Sequence, residues 1–281
     1  TGGPVSMLNN KTLGSSIFLT GAFPAEYGNA VAGAFDLKMR NGNTDKYEFT
    51  AQLGLLGTEL AAEGPISRKN KSSFLVTYRY STLRLFQGLN IKLGTASVPN
   101  YQDAAFKLHF PIGEKGNFEV FGIGGLSNID LIVSNLEDAS GEIYGESDRD
   151  QYFRSDAGIA GASYSHRFNS KTYSRLTVGL SGHRTGADHE KVFRNTDWEV
   201  DSLKHILSYT FATTTTSAHW YLNRRIAPGH VIRIGLINDF YHLNFSDSSR
   251  QYPPTQQAWQ YRIGYQGNTN LAQAYIQYKF I

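Results

Sequence analysis

The sequence of 281 residues contains no cysteine and only two methionines. Without cysteine, the chain has no disulfide scaffold, no cysteine-bound zinc or iron–sulfur centre, and no thiol nucleophile. Charge is also scarce: 27 Lys and Arg against 24 Asp and Glu leave a net charge of +3, and only 18% of the residues are charged. This balance argues against nucleic acid as the main partner.

Long apolar runs and helical periodicity are missing as well. No unbroken apolar stretch approaches 18 residues and the mean hydropathy is −0.37, which excludes transmembrane helices. Few windows keep apolar residues at the spacing of an amphipathic helix. A membrane location is nevertheless compatible with these values, because the strands of a β-barrel alternate lipid-facing and lumen-facing residues and so have a mild average hydropathy.

Period-2 alternation of apolar and polar residues, by contrast, runs through most of the chain. The clearest apolar series are Tyr47, Phe49, Ala51, Leu53, Leu55; Phe74, Val76, Tyr78, Tyr80; Phe106, Leu108, Phe110; Leu176, Val178, Leu180; Ala218, Trp220, Leu222; Ile232, Ile234, Leu236; and Ala272, Ala274, Ile276, Tyr278, Phe280. Each series predicts a β-strand with one apolar face. Segments 155–168 and 231–245 predict strands long enough to cross a bilayer at a tilt.

Two kinds of connection alternate between these strands. The tight, polar kind comprises Ser67 to Lys71, Gly113 to Asn117, Asn169 to Lys171 and Ala227 to His230. The long kind comprises roughly Thr82 to Tyr101, Ser127 to Asp150, Gly186 to Asp201 and Ser246 to Gln257. Short turns at one rim and long loops at the other are typical of outer-membrane barrels. We therefore predict an all-β fold, a transmembrane antiparallel β-barrel in the bacterial outer membrane.

Residues 1–42 differ from the rest, because they are rich in Gly and Ala and predict only a short strand, a turn, and a second strand from Ala34 to Arg40. The stretch reads Phe23-Pro24-Ala25-Glu26-Tyr27-Gly28-Asn29-Ala30-Val31-Ala32-Gly33-Ala34-Phe35-Asp36-Leu37-Lys38. It resembles the closing segment of the plug domain in TonB-dependent outer-membrane receptors, in the form common in Bacteroidetes-type receptors. Gly33-Ala34 stands where that family often has two glycines.

The resemblance implies a plug inside a 22-stranded barrel that takes up a scarce nutrient, such as a metal chelate, cobalamin or an oligosaccharide. It also implies the TonB complex as a partner, reached through a segment that precedes residue 1. We expect residues 1–42 to be the end of the plug and residues 43–281 to be about the first ten barrel strands, at roughly 24 residues per strand and connection. On this interpretation the chain is a fragment of the receptor.

Bond-making chemistry has weak support in the sequence. Four histidines fall on predicted strands: His109, His166, His219 and His242. No Gly-x-Ser-x-Gly elbow accompanies them, so we expect that the chain is not an enzyme and binds no cofactor. Six carboxylates between Glu137 and Asp150 could offer oxygen ligands to Ca²⁺, but their spacing matches no EF-hand, and we prefer the interpretation of a solvated surface loop. We therefore assign no metal ligands.

Substrate binding is expected from aromatic residues of the long loops that could stack on a sugar or a chelate. The residues concerned are Tyr144, Trp198, Tyr252, Trp259 and Tyr261. Packing of loop against loop is the competing interpretation for each of them. The competing function is that of a structural, adhesive or porin-like barrel without energy coupling; a hydrolase is a third and weaker alternative.

Overall fold

The computed structural model describes residues 7–30, 32–54, 57–82, 100–136, 146–251 and 258–280. A two-stranded sheet comes first, formed by β1 (Ile17–Leu19) and β2 (Ala34–Asp36), with a 3-10 helix (Ala25–Tyr27) in the connection between them. Ten further strands follow. They are β3 (Glu48–Leu53), β4 (Thr58–Ser67), β5 (Ser72–Tyr80), β6 (Asn100–Ile112), β7 (Gly116–Leu131), β8 (Arg149–Asn169), β9 (Thr172–Arg194), β10 (Val200–Ala227), β11 (His230–Ser249) and β12 (Gln260–Phe280).

These ten strands form one antiparallel sheet in which each strand pairs with its neighbour in sequence, from β3 at one edge to β12 at the other. The all-β prediction is confirmed, and the up-and-down order is that of a partial barrel wall. The predicted strands 155–168 and 231–245 lie within β8 and β11. The predicted strand from Ala34 to Arg40 is shorter than expected: β2 ends at Asp36, and only an isolated bridge between Leu13 and Met39 continues the pairing.

All four tight turns are confirmed and lie at one rim, where they join β4 to β5, β6 to β7, β8 to β9 and β10 to β11. Three of them contain a residue in the left-handed region, with φ of 55° at Lys71, 60° at Gly113 and 75° at Gly229. Glycine adopts this conformation at no steric cost, which explains its place in two of the turns.

The opposite rim holds the connections predicted to be long, and one of those predictions is wrong. Residues 186–194 belong to β9, so the loop expected from Gly186 to Asp201 shrinks to the five residues 195–199. The connection between β3 and β4 is also short, because β3 ends at Leu53 and β4 begins at Thr58. Strands extend into the other three predicted loops, since β6 begins at Asn100, β7 ends at Leu131, β8 begins at Arg149 and β11 ends at Ser249. Residues 83–99, 137–145 and 252–257 of these loops lie outside the described residues.

The register divides the wall into two chemically different faces, because directly paired residues share a face. One row of paired residues is Phe49, Ala62, Val76, Phe106, Gly122, Ala160, Leu180, Thr216 and Phe240. We call this side the outer face; its side chains are well exposed, for example Phe49 at 78% and Leu180 at 55%. The row next to it, on the other side of the sheet, includes Glu63, Lys107 and Asp239. We call this side the inner face.

Few apolar side chains are buried in the described part of the chain, and they are scattered. They are Leu75, Ala105, Val133, Ala187 and Ile206. The wall therefore has no packed core of the kind that holds two sheets of a sandwich together. Its backbone ladder is continuous, but the outer apolar face needs an apolar environment to cover it. Among the described residues, no helix is long and apolar enough to cross a membrane.

Candidate functional site

Residues 9–40 form a hairpin that lies against the inner face of the wall, and we call it the N-terminal hairpin. Its two arms are held together by the pairing of β1 with β2 and, further down, by hydrogen bonds from Gly14 N to Lys38 O at 2.6 Å and from Arg40 N to Thr12 O at 2.9 Å. The base lies at residues 9–14 and 38–40. The tip is the connection 20–33, which contains most of the segment that resembles a plug.

The base is fixed to β4 and β6. Arg40 donates both terminal guanidinium nitrogens to the Glu63 carboxylate, at 2.7 and 2.6 Å, and Asn43 N donates to the same carboxylate at 2.9 Å. Lys107 Nζ donates to Met39 O at 2.9 Å. The hydrogen-bonded Glu63 carboxylate raises the pKa of the Arg40 guanidinium. A bidentate pair with a further backbone donor fixes both position and orientation of the base.

The tip is fixed to β11 and β12, at the far end of the sheet. Glu26 Oε1 lies 2.6 Å from Arg233 Nη1, and the Arg233 guanidinium stands 4.9 Å from the centre of the Tyr221 ring. Gln273 Nε2 donates to Asn29 Oδ1 at 3.1 Å. The hairpin thus spans the inner face from the first strands of the wall to the last ones.

Gly28 lies close to β12 at the tip. A Cβ at this position would lie 2.9 Å from Gln273 Nε2, which is the end of a flexible side chain and can move aside, so glycine eases this approach without being required for it. The neighbouring Asn29 accepts the hydrogen bond from Gln273 Nε2.

A polar network covers the inner face between the two attachments. Glu119 accepts from Lys107 at 3.0 Å and from Arg175 at 2.9 Å, and Arg175 also donates to Ser163 Oγ at 2.9 Å. Four strands, β6 to β9, contribute to this network. Buried charges on the wall are therefore paired, and Lys107 joins the network to the base of the hairpin.

The same region contains the arrangement closest to a catalytic one, because Ser73, His109 and Glu119 are directly paired on β5, β6 and β7. Ser73 Oγ and His109 Nδ1 are both buried without a hydrogen-bond partner. In the described structure, therefore, no hydrogen bond joins the Ser73 hydroxyl to the His109 imidazole, as an activated serine nucleophile requires.

The structure describes three of the five aromatic residues predicted to bind substrate. Tyr144 and Tyr252 lie outside the described residues. Trp198 is in the connection from β9 to β10, with φ of 68° and the Arg194 guanidinium 4.8 Å from its ring centre. Trp259 instead contacts His205 and Arg250, whose ring and guanidinium lie 5.1 and 4.8 Å from its ring centre.

Tyr261, the fifth of these residues, is on β12 opposite Ser248 and is 82% exposed. Like Trp198 and Trp259, it is near the rim that carries the long connections. Trp198 and Trp259 each have an arginine guanidinium over the ring, from Arg194 and Arg250 respectively.

An aromatic patch on the inner face was missed by the sequence analysis. Phe211, Phe245 and Tyr265 are directly paired across β10, β11 and β12, with ring centres 5.6 and 6.3 Å apart, and Tyr209 lies 5.5 Å from Phe211. They occupy the same face as Arg233, since an even number of residues separates Phe245 from Arg233 on a regular strand. We call these four residues the inner aromatic patch.

The inner aromatic patch lies between the hairpin tip and the loop rim. Phe245 is 12 residues from Arg233 in the direction of the long connections, about 40 Å along the strand, and only four residues before the end of β11. Tyr265 is 50% exposed. The directly paired members of the patch, Phe211 with Phe245 and Phe245 with Tyr265, are 34 and 20 residues apart in sequence, so only the register reveals that they meet.

The structure describes only part of the segment that holds the six carboxylates between Glu137 and Asp150, because residues 137–145 lie outside the described residues. Asp148 contacts Arg149 at 2.7 Å and Lys191 at 3.2 Å, and the hydrogen bond from Arg149 is the main reason why its pKa is lowered. Asp150 is buried and accepts from Ser134 N and Oγ. In the described ranges no three acidic or histidine side chains are grouped as metal ligands.

Comparison with known proteins gives a likeness among solved structures. No protein-family model matches the chain, and no curated protein matches it. Among solved structures it is similar to the closed form of the ferric-catecholate import receptor Fiu from E. coli K12, with 11% identity and a TM-score of 0.43. The match covers 89% of this chain and 49% of that one, so the chain spans about half the length of that receptor. A likeness of this degree carries no argument about function.

Proposed function

We propose that the chain is part of an outer-membrane transporter that takes up a small nutrient through a plugged barrel in a TonB-coupled manner. Residues 1–42 would be the end of the plug and residues 43–281 the first ten strands of a 22-stranded wall. The observation that carries this proposal is the N-terminal hairpin, which occupies the polar inner face and is fixed there by ion pairs at both ends.

The two faces of the wall support the membrane location. The outer face exposes large apolar residues across the sheet, including Phe49, Leu180 and Ile276, of which Ile276 is 71% exposed. The inner face holds paired charges such as Lys107 and Glu119. An apolar outside and a polar inside are what a barrel wall in lipid requires.

The hairpin favours a gated transporter over an open pore. A porin-like barrel needs a clear lumen, whereas here a segment crosses the inner face from β4 to β11. Passage of a ligand past this segment requires at least one of its attachments to open. The resemblance of residues 23–38 to the end of a TonB-dependent plug agrees with this arrangement.

The inner aromatic patch offers a place for the ligand on its way from the rim to the hairpin. Phe211, Phe245 and Tyr265 present three adjacent aromatic rings on the inner face, with Phe211 edge-on to Phe245 and Tyr265 tilted against Phe245. Such a surface suits a nutrient with a flat or apolar face, as in a metal chelate, cobalamin or a sugar ring. The loop residues Tyr144, Trp198, Tyr252, Trp259 and Tyr261 are proposed as the outer part of the same route.

Uptake by whole cells tests the proposal. Cells would be given labelled cobalamin, a ferric chelate or a labelled oligosaccharide, with and without the gene and with and without TonB. We expect gene-dependent accumulation of one of these probes that disappears without TonB. Accumulation that persists without TonB would indicate a passive barrel and overturn the proposed energy coupling.

A reversible cross-link tests the gate itself, because the chain has no native cysteine. Asn29→Cys with Gln273→Cys would be joined by a bis-methanethiosulfonate reagent, tethering the hairpin tip to β12. We expect the tether to stop uptake and a reductant to restore it. The matched control joins Thr213→Cys to Leu243→Cys, a directly paired couple within the wall, and should leave uptake unchanged.

A further inference from the structure

The rim of tight turns carries the excess positive charge of the chain. Residues 66–72, 112–117, 167–172 and 224–230 form the four turns and the strand ends beside them. Of the 27 Lys and Arg, eight lie in these segments, whereas Glu114 alone of the 24 Asp and Glu does. This leaves 19 cations against 23 carboxylates in the rest of the chain. We call the eight Lys and Arg of these segments the basic rim.

The charges of the basic rim are not neutralised within the wall. All eight residues are exposed, and none of them forms an ion pair with any residue that the structure describes. On the inner face, in contrast, Arg40, Lys107 and Arg233 each have a carboxylate oxygen within 3.0 Å. The basic rim is therefore a band of unpaired positive charge at one end of the wall.

Each of the four turns also exposes a large apolar side chain within three residues of a cation. These side chains are Ile66, Ile112, Phe168 and Ile226, which are between 47% and 52% exposed. Exposed apolar residues thus continue as far as the turns, where the positive charge begins. In a bilayer, acyl chains give way to phosphates at such a boundary, and Lys and Arg side chains beside apolar residues extend to the phosphates.

The spacing of the turns argues against a single small ligand. Neighbouring tight turns are two strands apart, about 10 Å, and the four turns extend over about 30 Å of the rim. A small anion would contact the cations of one turn at most. A layer of lipid phosphates, in contrast, meets all four turns together, and its attraction grows with each cation near the surface.

We propose that the basic rim binds the headgroups of anionic phospholipids, such as phosphatidylglycerol, in the leaflet on the side of the tight turns. In an outer-membrane barrel this side faces the periplasm. The contact sets the depth of the wall in the bilayer, because the apolar side chains lie among the acyl chains and the turns stay at the phosphates. The proposal rests on the membrane location in the proposed function, but not on TonB coupling or on any substrate.

Lipid selectivity tests the proposal. The receptor that contains this chain, purified in mild detergent, would be titrated with fluorescent phosphatidylglycerol and separately with fluorescent phosphatidylcholine, whose headgroup has no net charge. We expect tighter binding of phosphatidylglycerol at low salt and a smaller difference at high salt, because salt screens exposed charges. Arg68→Gln with Lys69→Gln should lower the preference for phosphatidylglycerol by at least about fivefold, the effect of one cation near an anionic surface.

The matched control is Arg154→Gln with Lys204→Gln, which removes one exposed Arg and one exposed Lys from the other end of the wall and should keep the preference. Equal binding of the two lipids by the native chain, or an unchanged preference in Arg68→Gln with Lys69→Gln, would overturn the proposal. Salt-sensitive binding of polyglutamate without any lipid preference would also overturn it, in favour of an acidic protein partner.

Membrane fractionation separates this proposal from the proposed function. A chain that is absent from the outer membrane refutes the proposed function, and with it the lipid contact. A chain that is present in the outer membrane and binds both lipids equally refutes only the role of the basic rim.

Discussion

The ion pair between Glu26 and Arg233 gives the sharpest quantitative prediction, because it holds the hairpin tip to the wall. Its side chains are 18% and 25% exposed, and the two atoms lie 2.6 Å apart. Exposed pairs contribute up to about 1 kcal/mol, and breaking buried pairs costs about 3–5 kcal/mol. For this intermediate case we expect Glu26→Gln to destabilise the docked tip by about 1.5–2 kcal/mol.

Arg233→Gln should have the larger effect of the two single changes. Besides its carboxylate partner, the Arg233 guanidinium loses the Tyr221 ring at 4.9 Å, a contact worth about 0.5–1 kcal/mol. We therefore expect Arg233→Gln to destabilise the docked tip by about 2–3 kcal/mol. The double variant should be destabilised by about 1–2 kcal/mol less than the sum of the two single variants, and this difference is the coupling energy of the pair.

Hydrogen exchange of the backbone amides at 25–30 measures the opening of the tip directly. Each 1.4 kcal/mol is a factor of ten, so we expect exchange there to rise roughly tenfold or more in both single variants. Lys38→Gln is the matched control: its ion pair with Asp36 belongs to the same hairpin but is 59% exposed on the lysine side. It should change exchange by less than about threefold. Additive effects of Glu26→Gln and Arg233→Gln would refute the pair as the tip's attachment.

Three further predictions concern other parts of the molecule. Gly42→Ala should destabilise the docked base by about 1–3 kcal/mol, seen as faster amide exchange at residues 38–43, because a Cβ there overlaps the Phe74 carbonyl oxygen. Asp148 has a lowered pKa, so its ion pairs stabilise the fold at pH values above the normal aspartate pKa. The difference in melting temperature between the native chain and Asp148→Asn should therefore shrink as the pH falls from 7 towards 3. Phe245→Ala should weaken binding of the transported probe roughly two- to tenfold, measured as the half-saturating concentration for uptake.

The strand segments that carry the apolar outer face could be predicted from sequence, because apolar and polar residues alternate visibly there. The end of β9 nearest the long connections could not be predicted as a strand. Between Gly186 and Arg194 both faces carry polar residues, including Asp188, Glu190 and Lys191, and this composition resembles a loop. The ladder to β8 and β10 continues through it regardless, because backbone pairing does not require an apolar face.

The functional site was predictable only in part for a related reason. The segment around Glu26 and Gly28 was recognised from its local pattern, which is contiguous in sequence. Its partner Arg233 is 207 residues away, and nothing in the sequence around Arg233 distinguishes it from other cations of the wall. The inner aromatic patch was missed for the same reason, since its contacts depend on the register of three strands.

Chain connectivity makes the two ends of the hairpin unequal. The base anchor at Arg40 is joined to the wall covalently as well as by its ion pair, since only residues 41–47 separate it from the first residue of β3. A linker this short reaches at most about 25–30 Å, so the base stays near β4 whatever its contacts do. The tip has no such restraint and is held by Glu26 and Asn29 alone among the polar contacts described. If the hairpin moves as in the proposed function, we therefore expect the movement to begin at the tip, which only the contacts with β11 and β12 hold to the wall.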